Sequence, residues 1–315
     1  MNAFSIPHHW AFLVSALVLL LSTLFIFWKT LEKLEVSLEI RQLLVALSLL
    51  NPFCFRFYLA LPWSLTDLGF ELALGLLTYA LLFKKPALWV GSVILATLSR
   101  QTMLAVFPVA ALGVWILWSS AAIPRSRKIG TLVLGAFGMA ATYKVTGMAI
   151  AGVATPNNNI ASLTEGYDWI KYYWNTERFV GFMMRGIAPL FFTFVLWMRE
   201  PGFTKINRTQ AILILLSLSI MVQPFLGGPL YTSNNISRLN MLGQFPIAVA
   251  LAMRLKTSKW NIASLLPWAL LCTGMGSFHH VYSYLSTHTN DQAAYFFVTY
   301  LLGWMIFTAK AFSCR

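Results

Sequence analysis

Residues 10–28 read WAFLVSALVLLLSTLFIFW, without a charge from end to end. Such a run matches the ~20 apolar residues needed to cross a hydrocarbon core ~30 Å thick. No Lys or Arg precedes it, and the first basic residue, Lys29, follows it in KTLEK. A cleavable signal has its positive charge in front of the apolar segment, so this one is expected to be a retained span with its N-terminus outside.

Composition carries that reading along the whole chain. Apolar residues make up 58% and charged residues 10% of 315 positions, with a mean hydropathy of +0.69, which is membrane rather than soluble composition. Apolar runs fall near 10–28, 43–55, 65–83, 86–98, 103–120, 129–151, 180–198, 209–225, 239–253, 261–276 and 293–309. The expectation is an all-α polytopic bundle of about eleven spans, a single integral membrane domain over 1–315, with the C-terminus cytoplasmic. The 86–98 run is short, either a tilted helix or half of a re-entrant hairpin.

Charge supports the layout, because cytoplasmic loops collect Lys and Arg. Residues Lys29 to Arg41, Lys84 and Lys85, Arg125 to Lys128, Arg199 to Arg208, Arg254 to Lys259, Lys310 and Arg315 all fall on one side. The net charge of +13 is therefore a topology signal and not a nucleic-acid footprint. Arg56, Arg100, Lys144, Lys171, Arg178, Arg185 and Arg238 remain, on the outer face or inside a span, with Asp67, Glu71, Glu165, Asp168, Glu177 and Asp291 among the acids there. Ionisable groups at membrane depth are costly unless paired or hydrated, so they point to a cavity open to the outer side.

Cys54, Cys272 and Cys314 are scattered and suggest neither a disulfide framework nor a zinc site. GxGxxG, GxxxxGK[ST] and HExxH motifs are absent, which removes the usual signs of a nucleotide-driven motor or a zinc protease.

Asn51 to Asp67, NPFCFRFYLALPWSLTD, places Arg56 and Asp67 on the outer side of a span. Asp67 stands where a helix dipole favours an anion, and Arg56 is near enough in sequence to pair with it or share a ligand. Arg100 sits in the turn SRQT, with Gln101 and Thr102 as neighbouring donors. Arg238 opens a later span. Either arginine holds a phosphate as a fixed cation or snorkels to head groups. Arg185 lies inside a span just before Gly186 and Pro189, as a functional or structural ion pair. The outer loop 153–179 is expected to carry a short interfacial helix at 167–178, whose Trp169 and Tyr173 rings suit the water–lipid boundary or the C–H face of a sugar. His279 and His280 are candidates for proton exchange at an outer boundary.

The succession NPF (51–53), RFY (56–58), Pro62, SLTD (64–67), a span, KKP (84–86), LSRQT (98–102) and VFP (106–108), with NNISRLNMLGQFPIAVAL (234–251) later, resembles the middle of polytopic GT-C glycosyltransferases over about residues 45–255. The resemblance implies transfer of a sugar from a polyprenyl-phosphate carrier to a glycan or lipid acceptor at the outer face of a bacterial inner membrane. It implies a carboxylate as base and arginines on the leaving phosphate. Asp67 takes the first role, with Glu165 and Asp168 as the other acids; Arg100 and Arg238 take the second. The family's usual acid in the first outer loop has no counterpart in MNAFSIPHHW. No cofactor is indicated, a divalent metal is left open, and the expected partners are the lipid-linked donor, the acceptor and membrane lipids. A polysaccharide polymerase, a carrier of lipid-linked sugars and a non-catalytic subunit are the alternatives.

Overall fold

Helix α1, His8–Lys33, realises the first apolar run and continues to the basic residues after it. It ends in a Schellman turn: Val36 N–H reaches Leu31 C=O at 3.1 Å and Glu35 N–H reaches Glu32 C=O at 2.9 Å. Glu35 occupies the left-handed position at φ 57°, where glycine is usual. Ser37 then caps α2, Leu38–Leu50, by accepting from Ile40 N–H. The Glu39 carboxyl is held below the ordinary carboxylate range, first by its own backbone N–H at the helix start and then by Ser37.

The computed structural model describes residues 8–51, 65–118, 123–151, 186–187, 190, 193, 196–198, 205–232, 236–256, 265–267, 302, 305–306 and 309. Among these, helix is the only regular structure, with no strand. After α2 come α3 (Leu65–Leu82), α4 (Pro86–Ser99), α5 (Met103–Leu117), α6 (Arg125–Ala151), α7 (Arg208–Thr232), α8 (Ile236–Met241) and α9 (Gln244–Leu255). Four of the described helices, α1, α3, α6 and α7, are long and apolar enough to cross a membrane, which makes this a membrane protein. α4 and α5, of 14 and 15 residues, extend only ~21–23 Å at 1.5 Å per residue.

The chain gathers into two compact units. In the unit formed by 1–65, 189–206 and 248–315, α1 packs along α2. Phe27, Leu31, Leu43 and Leu44 are buried there. Arg41 lies over the Trp28 ring at 4.8 Å, and Arg254 lies over Trp197 at 5.4 Å. Lys256 pairs with Glu35 at 3.0 Å.

In the unit formed by 66–188 and 207–247, α3 is the most enclosed of the four long apolar helices, with 67% of its apolar window buried against 11% for α6. A helix apolar on every side belongs in such a position. The α3–α4 connection repeats the charged Schellman turn: Lys84 sits at φ 54°, and Lys85 N–H reaches Ala80 C=O at 3.0 Å. Pro86 opens α4 at its first turn, where a missing N–H costs nothing. Trp118, fully buried, ties the end of α5 to α3 by donating its indole N–H to Leu81 C=O at 2.9 Å.

The expected 239–253 span is instead two helices, broken at Leu242 and Gly243. Gly243 C=O accepts from Ser217 Oγ at 2.7 Å, and a side chain at Gly243 would meet Ser217 C=O at 3.0 Å. The close approach of α7 therefore fixes the break. The 129–151 run begins earlier, at Arg125, because Pro124 C=O accepts the Lys128 N–H and the basic residues join the first turns of α6. Most of the expected spans at 180–198, 261–276 and 293–309 lies outside the described residues, as does the interfacial helix at 167–178.

Candidate functional site

Three elements of the second unit bring charge to one place. Asp67 stands in the first turn of α3 and is buried, at 3% exposure. Arg100 is the residue that ends α4, with an extended backbone and its N–H bonded to Ala96 C=O. Arg238 lies in α8. Arg100 Nη1 donates to Asp67 Oδ1 in a hydrogen-bonded ion pair, and Arg238 Nε stands 3.4 Å from Asp67 Oδ2. Each carboxylate oxygen thus faces a different guanidinium.

The local sequence explains the convergence. Gly69 lies one turn into α3, where a Cβ would meet Ser99 Oγ at 2.7 Å. Without a side chain at Gly69, the end of α4 closes on the start of α3 and delivers Arg100 to Asp67. α8 is held by Asn240, whose Nδ2 donates to Gly186 C=O at 2.9 Å, and α8 packs on α7. The α3 N-terminus adds its dipole to the two cations around the carboxylate.

Beside this cluster lies a small open cleft of about 20 Å³. Arg100, Thr102 and Gln223 form its polar side; Ile220, Leu239 and Leu242 form its apolar side. Gln223 donates from Nε2 to Ser219 C=O at 2.7 Å. Both arginines are about a fifth exposed, at 22% and 21% for their side chains, against 4% for Asp67. Arg100 brings a guanidinium to this cleft of mixed polar and apolar lining, which suits a small anionic group.

Glu71 follows Asp67 by one helical turn on the same face of α3 and is 2% exposed. In the sequence Glu71 stands as one outer acid among several, and Gln223 as a lone amide in an apolar run. The signals for both were there: Glu71 is i+4 to Asp67 inside an apolar run, and Gln223 interrupts SIMVQPF just before a proline.

Of the sequence-derived site residues, Asp67, Arg100 and Arg238 meet here. Arg56, Glu165, Asp168, Trp169, Tyr173, Arg185, His279 and His280 lie outside the described residues, although Gly186, next to Arg185, is the residue that Asn240 holds. Among the described residues no cluster of His, Cys, Asp or Glu has metal-binding form. No protein-family model, curated protein or solved structure matches the chain.

Proposed function

We propose that this protein is a membrane glycosyltransferase that moves a sugar from a polyprenyl-phosphate-type carrier to a glycan or lipid acceptor on the outer face of a bacterial inner membrane. The observation that carries the reading is the enclosed Asp67 gripped by Arg100 and Arg238 at the edge of a half-apolar cleft. In this reading the guanidinium groups hold the carrier phosphate. The acceptor hydroxyl oxygen bonds to the anomeric carbon as the bond from that carbon to the phosphate oxygen breaks. The electron pair leaves with that oxygen, where the arginines stabilise the charge. Drawing the arginines onto the phosphate exposes an Asp67 oxygen, which takes the acceptor proton.

The supporting test is turnover of a polyprenyl-phosphate sugar in reconstituted membranes. Arg100→Gln is expected to lower kcat/KM by about 10²-fold or more, as expected for loss of a preorganised charge donor, with Arg238→Gln close behind. Unchanged turnover in both variants would sink the reading.

A second reading, a carrier of lipid-linked sugars, draws on the same enclosure, since both Asp67 oxygens face cations and leave no open base. It gives donor binding that depends on Arg100 with no sugar transferred to any acceptor.

The wider topology in this proposal is about eleven spans with the N-terminus outside and the C-terminus in the cytoplasm. Reporter fusions at Lys84 and Trp174 are expected to report opposite sides of the membrane. The same side for both would break the layout.

A further inference from the structure

We propose that the second half of α6 is a docking face for a transmembrane helix of another protein, one that carries a carboxylate at the depth of Lys144. From Ala141 to Ala149 no residue of α6 is buried, and Lys144 itself is exposed. Among the described residues Lys144 has no hydrogen-bond or ion-pair partner. The same side shows Phe137 at 72% and Met148 at 60% exposure, and a Cβ added at Gly147 would meet open space. By contrast, the earlier half packs closely: Gly135 and Gly138 receive Trp89 and Ile94 of α4.

Depth makes the lysine informative. Lys144 stands ~24 Å along the helix axis from Lys128, the last of the basic residues that open α6, at 1.5 Å per residue. That remains within a hydrocarbon core ~30 Å thick. Side chains on a helix lean toward its N-terminus, so Lys144 leans back into the core and away from the nearer boundary. Snorkelling works against this lean, and the hydrocarbon tails at that depth offer the ammonium no counterion. Small residues beside it, Ala140 and Gly147, let another helix backbone come close. Charge selects the occupant. A second copy meeting this one face to face through α6 would set Lys144 against Lys144, whereas a helix bearing an Asp or Glu there satisfies it.

The test uses the full-length chain in phosphatidylcholine vesicles and a Leu/Ala peptide of about 23 residues, with a single Asp two turns from one end or Leu in its place. Energy transfer between chain and peptide is the readout. The Asp peptide is expected to associate about tenfold more tightly than the Leu peptide. Lys144→Met abolishes that preference and Lys144→Arg keeps it. No preference in the wild type, or an equal preference in Lys144→Met, overturns the proposal. Self-association of the chain that Gly147→Leu abolishes would assign the face to a second copy, and overturns it too. Sugar transfer enters none of these readouts, so this result is independent of the proposed activity.

Discussion

Asp67→Asn is expected to lower sugar transfer by about 10²-fold or more while also lowering the stability of the solubilised protein by about 3 kcal/mol. The first figure is the usual contribution of a positioned acid–base group. The second follows from removing one partner of a buried charge cluster, which costs about 3–5 kcal/mol; the lower end applies because Arg100 and Arg238 keep about a fifth of their side-chain surface exposed. Asparagine keeps the shape but leaves two guanidinium groups facing a neutral amide. Removing one of them as well should relieve part of the strain. Asp67→Asn/Arg100→Gln is therefore expected to recover about 1 kcal/mol over Asp67→Asn alone, the size of coupling that contacting residues show. On the proposed function, transfer stays low in the double variant, because Arg100 is the phosphate holder that is lost. Glu165→Gln serves as the comparison and should reduce transfer less. Full transfer by Asp67→Asn refutes the base assignment, and a double variant less stable than the single one refutes the charge argument.

Gly135→Leu is the second large effect. Gly135 faces the Trp89 ring, and a Cβ there would meet the six-membered ring edge, with Cη2 at 3.1 Å and Cε3 at 3.4 Å. Trp89 is fully buried and packs at a tilt against Phe107, with ring centroids 5.9 Å apart. The indole has no room to retreat, and α4 and α6 must separate along their contact. Overpacking of this kind costs about 1–3 kcal/mol, occasionally more, and the rigidity of the ring places Gly135→Leu at the top of that range. Gly130→Leu supplies the control on the same helix, since a Cβ there meets nothing within 4 Å. Its effect should stay within about 0.5 kcal/mol. Thermal unfolding of both variants in one detergent decides the matter, and equal midpoints would show that the α4–α6 contact is softer than its geometry implies.

What the sequence made legible is the part encoded locally. The apolar runs at 65–83, 86–98 and 103–120 correspond to α3, α4 and α5, because Pro86 starts one helix and Ser99 to Thr102 separates the next two. The acid at the start of α3 and the arginine at the end of α4 were visible as charges in apolar surroundings. Their pairing was not. Arg56, the nearest cation to Asp67 in sequence on the same side, lies outside the described residues; among those, the partners of Asp67 are Arg100 and Arg238. That choice depends on Gly69 admitting Ser99 and on α8 being held by Asn240, contacts between segments far apart in the chain. The break at Gly243 was hidden for the same reason, since Ser217, its cause, lies on α7. Periodicity reports one helix at a time, and Leu239 to Met253 reads as one uncharged span until α7 is laid against it.

The α3–α4 hairpin also sets a depth. Asp67 and Arg100 lie ~25 Å and ~22 Å along their helix axes from the Lys84–Lys85 turn, while the hydrocarbon slab is ~30 Å thick. With the lysines at one surface, the ion pair stops several ångströms short of the other. On the proposed function, a lipid head group bound there has to descend below the plane of its neighbours, its negative charge exchanged from water to guanidinium on the way down. Bilayer thickness then becomes a tuning variable: a thin membrane brings the arginines up to the head groups, and a thick one buries them.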